Sequence, residues 1–125
     1  DRSVSRGLGD VYKRQILYFQ FSQYEDDMYV QLTFMETMDK YGMDAPAKKY
    51  QELLAKANYK LWHANVQARK NFHDSIFPPQ SGHPDYNLHA DDIDFQIEAD
   101  YIGFMCPGMP QTANKMADKI GHIMN

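Results

Sequence analysis

The sequence predicts an all-α, bundle-like helical domain, and three observations lead to that prediction. Apolar residues recur every three or four positions between residues 26 and 124, which is the spacing of one face of a helix. Glycine and proline divide this stretch into segments of helix length. An alternating pattern is confined to residues 16–23, which fit either a short strand or a first helical turn. About five helices are therefore expected over residues 26–124, with a long loop near residues 77–88.

The first two helices are predicted from their apolar stripes and their end signals. The first begins at Asp26 and ends at Tyr41, where Gly42 is the residue type that commonly follows a helix. Asp44 as N-cap and Pro46 in the first turn open the second helix. The inward residues expected are Met28, Leu32, Phe34, Met35, Met38 and Tyr41 in the first helix, and Tyr50, Leu53, Leu54, Ala57 and Leu61 in the second.

The second half of the chain is predicted to hold three more helices. A break at residues 62–65 precedes the third helix, and a Pro/Gly-rich loop at residues 77–87 follows it as a candidate binding loop. The fourth helix carries Asp91, Asp94 and Glu98 on a face other than its apolar one. The inward residues expected are Val66, Arg69, Phe72 and Ile76 in the third helix, Ile93, Ile97, Tyr101 and Phe104 in the fourth, and Ala113, Met116, Ala117, Ile120 and Met124 in the last.

Composition and charge narrow the classes of function. The 125 residues are 43% hydrophobic and 14% aromatic, which is ample for a packed core. The 13 basic and 17 acidic residues give a net charge of −4 without a basic run, so binding to nucleic acid has no electrostatic support. The single Cys106 excludes an internal disulfide and cannot alone make a structural zinc site. No apolar stretch has the length that a membrane span needs.

The first fifteen residues are interpreted separately from the rest. Residues 10–15 match one reading frame of a transposase sequencing adapter, so residues 1–15 are expected to be a disordered artefact, with a genuine flexible tail as the alternative. Residues 16–125 are then a partial helical domain. Because the chain lacks an initiator Met and stops at Asn125 inside a helical pattern, we expect both ends to be truncations of a longer gene product.

Three successive carboxylates, those of Glu25, Asp26 and Asp27, stand at the start of the first predicted helix. They repel one another, and the helix N-terminus offsets this by only about 0.3–1 kcal/mol per charge. A divalent cation offsets it better, because Mg²⁺ and Ca²⁺ prefer carboxylate oxygens. The motif therefore indicates either a solvated acidic first turn or a metal site.

A second acidic pair, Asp92 and Asp94, opens the fourth predicted helix. Carboxylates that share a cleft destabilise one another unless a cation or a shared proton intervenes, so such groups mark metal or acid–base sites. If both helix starts border one cleft, Asp26 or Asp27 should lie close to Asp92 or Asp94.

Other chemistries fit the residue spacing less well. No Asp or Glu has a His three residues later, as a ferritin-like di-iron site requires. His83, His89 and Asp91 have donor types that zinc accepts, but they lack helical i, i+4 spacing and are interpreted as surface residues. Cys106 has no local histidine to activate it, and no glycine-rich phosphate loop is present.

Over residues 23–125 the chain resembles a bacterial branch of the ADP-ribosylglycohydrolase family. Glu25-Asp26-Asp27-Met28, at the head of a helix, is similar to the Thr/Ser-Asp-Asp-Thr metal motif of that family. The other stretches that carry the resemblance are residues 59–69, 81–82, 89–103, 107–110 and 118–125.

The resemblance implies an all-α enzyme that binds two Mg²⁺ ions in a cleft. Such an enzyme hydrolyses the glycosidic bond between ADP-ribose and a protein side chain or a small molecule. Asp26 and Asp27 would be metal ligands, with Glu25 as a third ligand where the family has Thr or Ser. Asp92 and Asp94 would be catalytic residues that hold water or ribose. A cytoplasmic location is expected, without a nucleic-acid or membrane partner.

Two departures from the family pattern bear on activity. Glu25 and Met28 replace the hydroxyl residues of the motif, and the family's C-terminal Asp-x-Asp-Thr/Ser motif does not occur in the chain. We therefore expect half of a metal site and no release of ADP-ribose by this chain alone. We also expect Ile120, Ile123 and Met124 of the last helix to lack packing partners.

Two alternatives to an enzyme stay open at this point. One is a non-catalytic binder of ADP-ribose or a nucleotide, and the other is a helical interaction domain. Tyr29, Trp62 and Tyr101 are candidates to stack on an adenine, although at least two of the three are expected to be core residues.

Overall fold

The computed structural model describes residues 26–125, with side chains from residue 28 onward. This part of the chain is all-helical, as the sequence predicts, and it contains no strand. Its helices are α1 (Asp26–Tyr41), α2 (Ala47–Lys56), α3 (His63–His73), a 3₁₀ helix (Gln80–Gly82), α4 (Asp94–Glu98), α5 (Asp100–Met105) and α6 (Pro110–Gly121). None of the helices in this range is both long and apolar enough to cross a bilayer.

Helix α1 has the predicted bounds, but of its predicted inward residues only Phe34 and Met38 are buried. Gly42 follows it with a φ of 81°, a conformation that glycine adopts without strain. The buried residues of α1 are Val30, Thr33, Phe34, Thr37 and Met38. The predicted inward residues Met28, Leu32, Met35 and Tyr41 are instead exposed. Both stripes have helical spacing, and Phe34 decides between them because its ring packs against Tyr50 and Tyr101, with centroids 5.8 and 5.9 Å away.

The break between α2 and α3 lies earlier than predicted. Residues 57–62 separate the two helices, so α3 begins inside the predicted break at residues 62–65. Arg69 of α3 stabilises this arrangement because its guanidinium donates to carbonyls at and beyond the end of α2. The accepting carbonyls are those of Leu54, Ala57 and Tyr59. A cation at a helix C-terminus also interacts favourably with the helix dipole.

Helix α3 packs through small and polar residues rather than through its large apolar ones. Its buried residues are Ala64, Asn65, Ala68 and Asn71. The predicted inward residues Val66, Arg69 and Phe72 are only partly buried. The fully buried Gln51 of α2 donates to the carbonyls of Ala68 and Ile76, at 3.2 and 3.0 Å, and thereby joins α2 to the middle of α3 and to the segment that follows it. Pro46, not Asp44, is the residue that precedes α2.

The predicted fourth helix is two short helices, α4 and α5, that meet at Ala99. Its expected apolar side is wrong at three of four positions, since Ile93, Ile97 and Phe104 are exposed and only Tyr101 is buried. Asp94 and Glu98 are buried instead. Carboxylates are buried at an acceptable cost only where donors satisfy them, and the start of α3 supplies those donors.

The apolar residues at the end of the last helix and just after it are packed, which corrects the expectation that they lack partners. Ile120, Ile123 and Met124 are completely buried. The loop that precedes α4 holds the C-terminal turn in place, because the side-chain amide of Asn87 donates to the carbonyls of Met124 and Ala64, at 2.7 and 3.2 Å. This loop spans the region predicted to be a long connection.

A glycine substitution tests this packing of loop against C-terminal turn. A Cβ atom on Gly82 would lie 2.6 Å from the carbonyl oxygen of Asn125 and 2.8 Å from that of His122. We expect Gly82→Ala to lower the free energy of unfolding by about 1–3 kcal/mol, because backbone atoms must move. Gly103→Ala is the matched control: nothing lies within 4 Å of its Cβ position, and alanine in a helix should add about 0.5–1 kcal/mol. Urea unfolding measures both values, and a Gly82→Ala variant as stable as the parent chain would contradict the packing.

Candidate functional site

A cleft of about 640 Å³ lies where α3 and α4 begin. This volume is typical of sites for small molecules and cofactors. The residues that line it are Trp62, His63, His89, Asp92, Ile93, Asp94 and Ile97. Two segments of the chain therefore bring carboxylates, imidazoles and an indole to one opening.

The Asp94 carboxylate joins the two helices that form the cleft. The first N–H groups of a helix have no partner within that helix, and Asn65 is the third residue of α3. Its N–H donates to Oδ1 of Asp94 at 3.2 Å, although Asp94 belongs to α4. Asp94 is only 5% exposed, and the positive end of the α3 dipole stabilises its charge. One carboxylate thus acts as the N-terminal cap of a neighbouring helix.

Glu98 makes a second contact between the same two helices. The side-chain amide of Asn65 donates to Oε1 of Glu98, and both residues are fully buried. The Tyr101 hydroxyl lies in this buried region too. Burial raises the pKa of Tyr101, and the nearby Tyr50 and Glu98 raise it further, so this hydroxyl stays protonated. The acidic face of α4 is therefore fixed against α3 at two successive turns.

Two histidines flank the carboxylate of Asp92. Its Oδ2 lies 2.9 Å from Nδ1 of His89 and 3.8 Å from Nδ1 of His63. The two imidazole rings stack with centroids 5.6 Å apart. His63 has a φ of 40°, which side-chain-bearing residues seldom adopt and which is more frequent at functional sites. The His63 side chain is 66% exposed and that of Asp92 is 36% exposed, so both have room to adjust to a ligand.

His63, Asp92 and Asp94 each offer one ligand atom to a common point. These three atoms all lie within 4.8 Å of one another, and no other such group of three occurs among the described residues. The donor set fits a divalent cation. The carboxylates suit a hard ion such as Mg²⁺, whereas the imidazole suits transition-metal ions.

The structure describes two of the five predicted site residues in full. Asp92 and Asp94 do lie together in one cleft. Glu25 falls outside the described residues, and so do the side chains of Asp26 and Asp27. Their role as metal ligands stays a prediction.

Two contacts join α1 to the helices that follow the second acidic pair. Gln31 donates through Nε2 to the carbonyl of Ile97 at 3.1 Å, and one turn later the Phe34 ring contacts that of Tyr101. Helix α1 therefore contacts both α4 and α5. That Asp26 or Asp27 lies close to Asp92 or Asp94 stays a prediction.

His83, His89 and Asp91, which the sequence analysis considered as zinc ligands, do not lie together. His83 faces Asp85, with 3.5 Å between Nδ1 and Oδ2, and Asp91 is exposed. Only His89 of that set borders the cleft. Cys106 is buried, and its Sγ lies 3.7 Å from Sδ of Met116, which is the environment of a core cysteine.

Of the three aromatic candidates for stacking, Trp62 lines the cleft. Tyr101 is buried in the core, and Tyr29 stacks on Tyr59 with ring centroids 5.3 Å apart. The ammonium group of Lys60 lies 3.4 Å from the centroid of the Trp62 ring. This pair brings an aromatic surface and a positive charge to the rim of the cleft.

Sequence reasoning missed His63 and Asn65. Both fall in residues 62–65, which were predicted to be a break, so neither was considered as part of a site. The available signal was weak: a histidine beside the only tryptophan of the chain. The α4 residues that Asn65 contacts, Asp94 and Glu98, lie 29 and 33 positions further along the chain. No local sequence pattern reveals contacts over that separation.

Comparison of the chain with protein-family models, with curated proteins and with solved structures finds no match in any of the three. The assignment of function therefore depends on the sequence motifs and on the geometry of the cleft.

Proposed function

We propose that this chain contributes the substrate cleft of a Mg²⁺-dependent hydrolase of the ADP-ribosylglycohydrolase type. Its substrate is an ADP-ribosylated protein or small molecule, and the bond cleaved is the glycosidic bond to the ribose. The observation that carries the proposal is the convergence of Asp92, Asp94 and Trp62 on one cleft. The resemblance of the acidic motif supports it independently.

The rim of the cleft has the chemistry to bind the nucleotide end of the substrate. The Trp62 indole is 38% exposed and provides a flat apolar surface for adenine. Stacking of a base on an aromatic side chain contributes about 1–3 kcal/mol. Lys60, whose ammonium group lies over one face of the indole, supplies a positive charge for the diphosphate and leaves the other face for the base.

The floor of the cleft has the chemistry to assist cleavage. Breaking the bond at the anomeric carbon builds positive charge on the ribose ring, and glycosidases meet this charge with paired carboxylates. Asp92 is partly exposed, so it can accept a hydrogen bond from a ribose hydroxyl or from the attacking water and hold it in place. Asp94 is held by the N–H of Asn65, so its negative charge stays oriented in the cleft.

Mg²⁺ is the cofactor that the resemblance implies. Asp26 and Asp27 would hold it, with Glu25 as a further ligand, and its chemistry there is to orient the ribose hydroxyls and to stabilise negative charge. A cytoplasmic location belongs to the same proposal.

A titration with ADP-ribose tests substrate binding. Trp62 is the only tryptophan of the chain, so its fluorescence reports on this cleft alone. We expect ADP-ribose to quench that fluorescence in a saturable manner. Calorimetry should show that Trp62→Ala weakens binding about tenfold or more, because a stacking surface is lost. Tyr86→Ala removes an exposed aromatic residue outside the cleft and should leave the affinity unchanged. Equal affinities for all three proteins would contradict the assignment of the cleft.

An assay of ADP-ribose release tests catalysis in the gene product that contains this chain. We expect Mg²⁺-dependent release from a mono-ADP-ribosylated protein. Asp26→Ala and Asp27→Ala should each reduce the release at least a hundredfold, whereas Asp39→Ala, an exposed acid on the same helix, should have no effect. Release without Mg²⁺, or full activity of both Asp variants, would overturn the assignment. Binding without any release would instead favour the non-catalytic ADP-ribose binder.

A further inference from the structure

We infer that His63, Asp92 and Asp94 form a metal site of their own, which takes a first-row transition-metal dication of the Zn²⁺ or Co²⁺ type in preference to Mg²⁺. The inference rests on the geometry of these three residues and not on the proposed reaction. It involves none of the residues of the acidic motif at the start of α1.

The ligand atoms of the three residues are slightly further apart than in an occupied site, and small side-chain rotations would bring them within bonding distance of one ion. Ligand atoms bonded at about 2.1 Å in a tetrahedral arrangement lie about 3.4 Å apart. Nδ1 of His63 and Oδ2 of Asp92 are separated by 3.8 Å, and all three ligand atoms lie within 4.8 Å of one another. His63 and Asp92 have exposed side chains that can rotate, whereas Asp94 is anchored on α3. The anchored carboxylate therefore sets the position of the ion, and the other two close upon it.

The donor types select the class of ion. One imidazole and two carboxylates match the mixed nitrogen and oxygen ligation of Zn²⁺, Co²⁺ and Fe²⁺. Mg²⁺ prefers oxygen ligands alone and keeps several waters. Three protein ligands also leave at least one coordination position that faces the cleft, which is the arrangement of catalytic rather than structural ions.

His89 contributes to the site without being one of the three ligands. Its Nδ1–H donates to Oδ2 of Asp92, and its ring stacks on that of His63. Hydrogen-bond partners of this kind orient metal ligands, and their loss commonly costs ten- to a hundredfold in affinity. We therefore expect His89→Ala to weaken the binding of metal rather than abolish it.

A competing account of the same geometry needs no metal. Protonated His63 and His89 would each attract the Asp92 carboxylate, and the three side chains would then form a charge cluster at the surface. The two accounts differ in whether removal of the His63 imidazole changes the affinity for a metal.

Titration of the metal-free 125-residue chain with Co²⁺ separates the two accounts, because the visible absorption of Co²⁺ reports on its ligands. We expect a saturable absorption band that Zn²⁺ abolishes and that a thousandfold excess of Mg²⁺ leaves in place. His63→Asn should lower the affinity for Co²⁺ at least tenfold, and asparagine tolerates the positive φ at this position. His83→Asn removes an exposed histidine outside the cleft and should bind Co²⁺ as the parent chain does.

Three results would overturn the inference. They are the absence of a Co²⁺ band, equal affinities of the parent chain and His63→Asn, and displacement of Co²⁺ by an equal concentration of Mg²⁺. Circular dichroism of each variant shows that it has folded. The ADP-ribose titration of the metal-free chain is read from Trp62 fluorescence, so a failure of the metal site and a failure of the proposed function give distinguishable results.

Discussion

The hydrogen bond from the N–H of Asn65 to the carboxylate of Asp94 determines how the cleft is built. It satisfies a helix N–H that has no partner in its own helix, and it sets a buried negative charge against the positive end of α3. The Asn65 side chain then binds Glu98 one turn further along. A single asparagine therefore holds α4 through its main chain and its side chain, and removal of either carboxylate would leave a buried donor unsatisfied.

The chemistry of the cleft follows from this junction. Trp62 directly precedes α3 and His63 is its first residue, so the bond that fixes Asp94 to Asn65 also determines their distance from Asp94. The groups that a ligand would meet first, those of His63 and Asp92, remain exposed and adjustable. Asp94 is buried and held in place, whereas His63 and Asp92 are exposed to solvent. This arrangement suits a ligand or an ion that enters from solvent.

The all-helical class and the bounds of α1 could be predicted from the sequence because they depend on local spacing and on a terminal glycine. The inward face of α1 could not, since Leu32 and Phe34 belong to two stripes with the same period and only the aromatic contacts of Phe34 select one. The proximity of Asp92 and Asp94 followed from their closeness in sequence. The burial of Asp94 did not, because its donor lies in another helix. His63 was missed for the same reason: its partners are brought to it by the fold.

Hydrogen exchange at the main-chain amide of Asn65 tests the central claim most directly. This amide should exchange slowly in the parent chain and in Asp92→Ala, and it should lose most of its protection in Asp94→Ala, because Asp94 accepts its hydrogen bond. The amide of Val66, which is bonded to the carbonyl of Trp62 within the helix, serves as the internal reference. Unchanged protection of the Asn65 amide in Asp94→Ala would contradict the claim that this carboxylate organises the cleft.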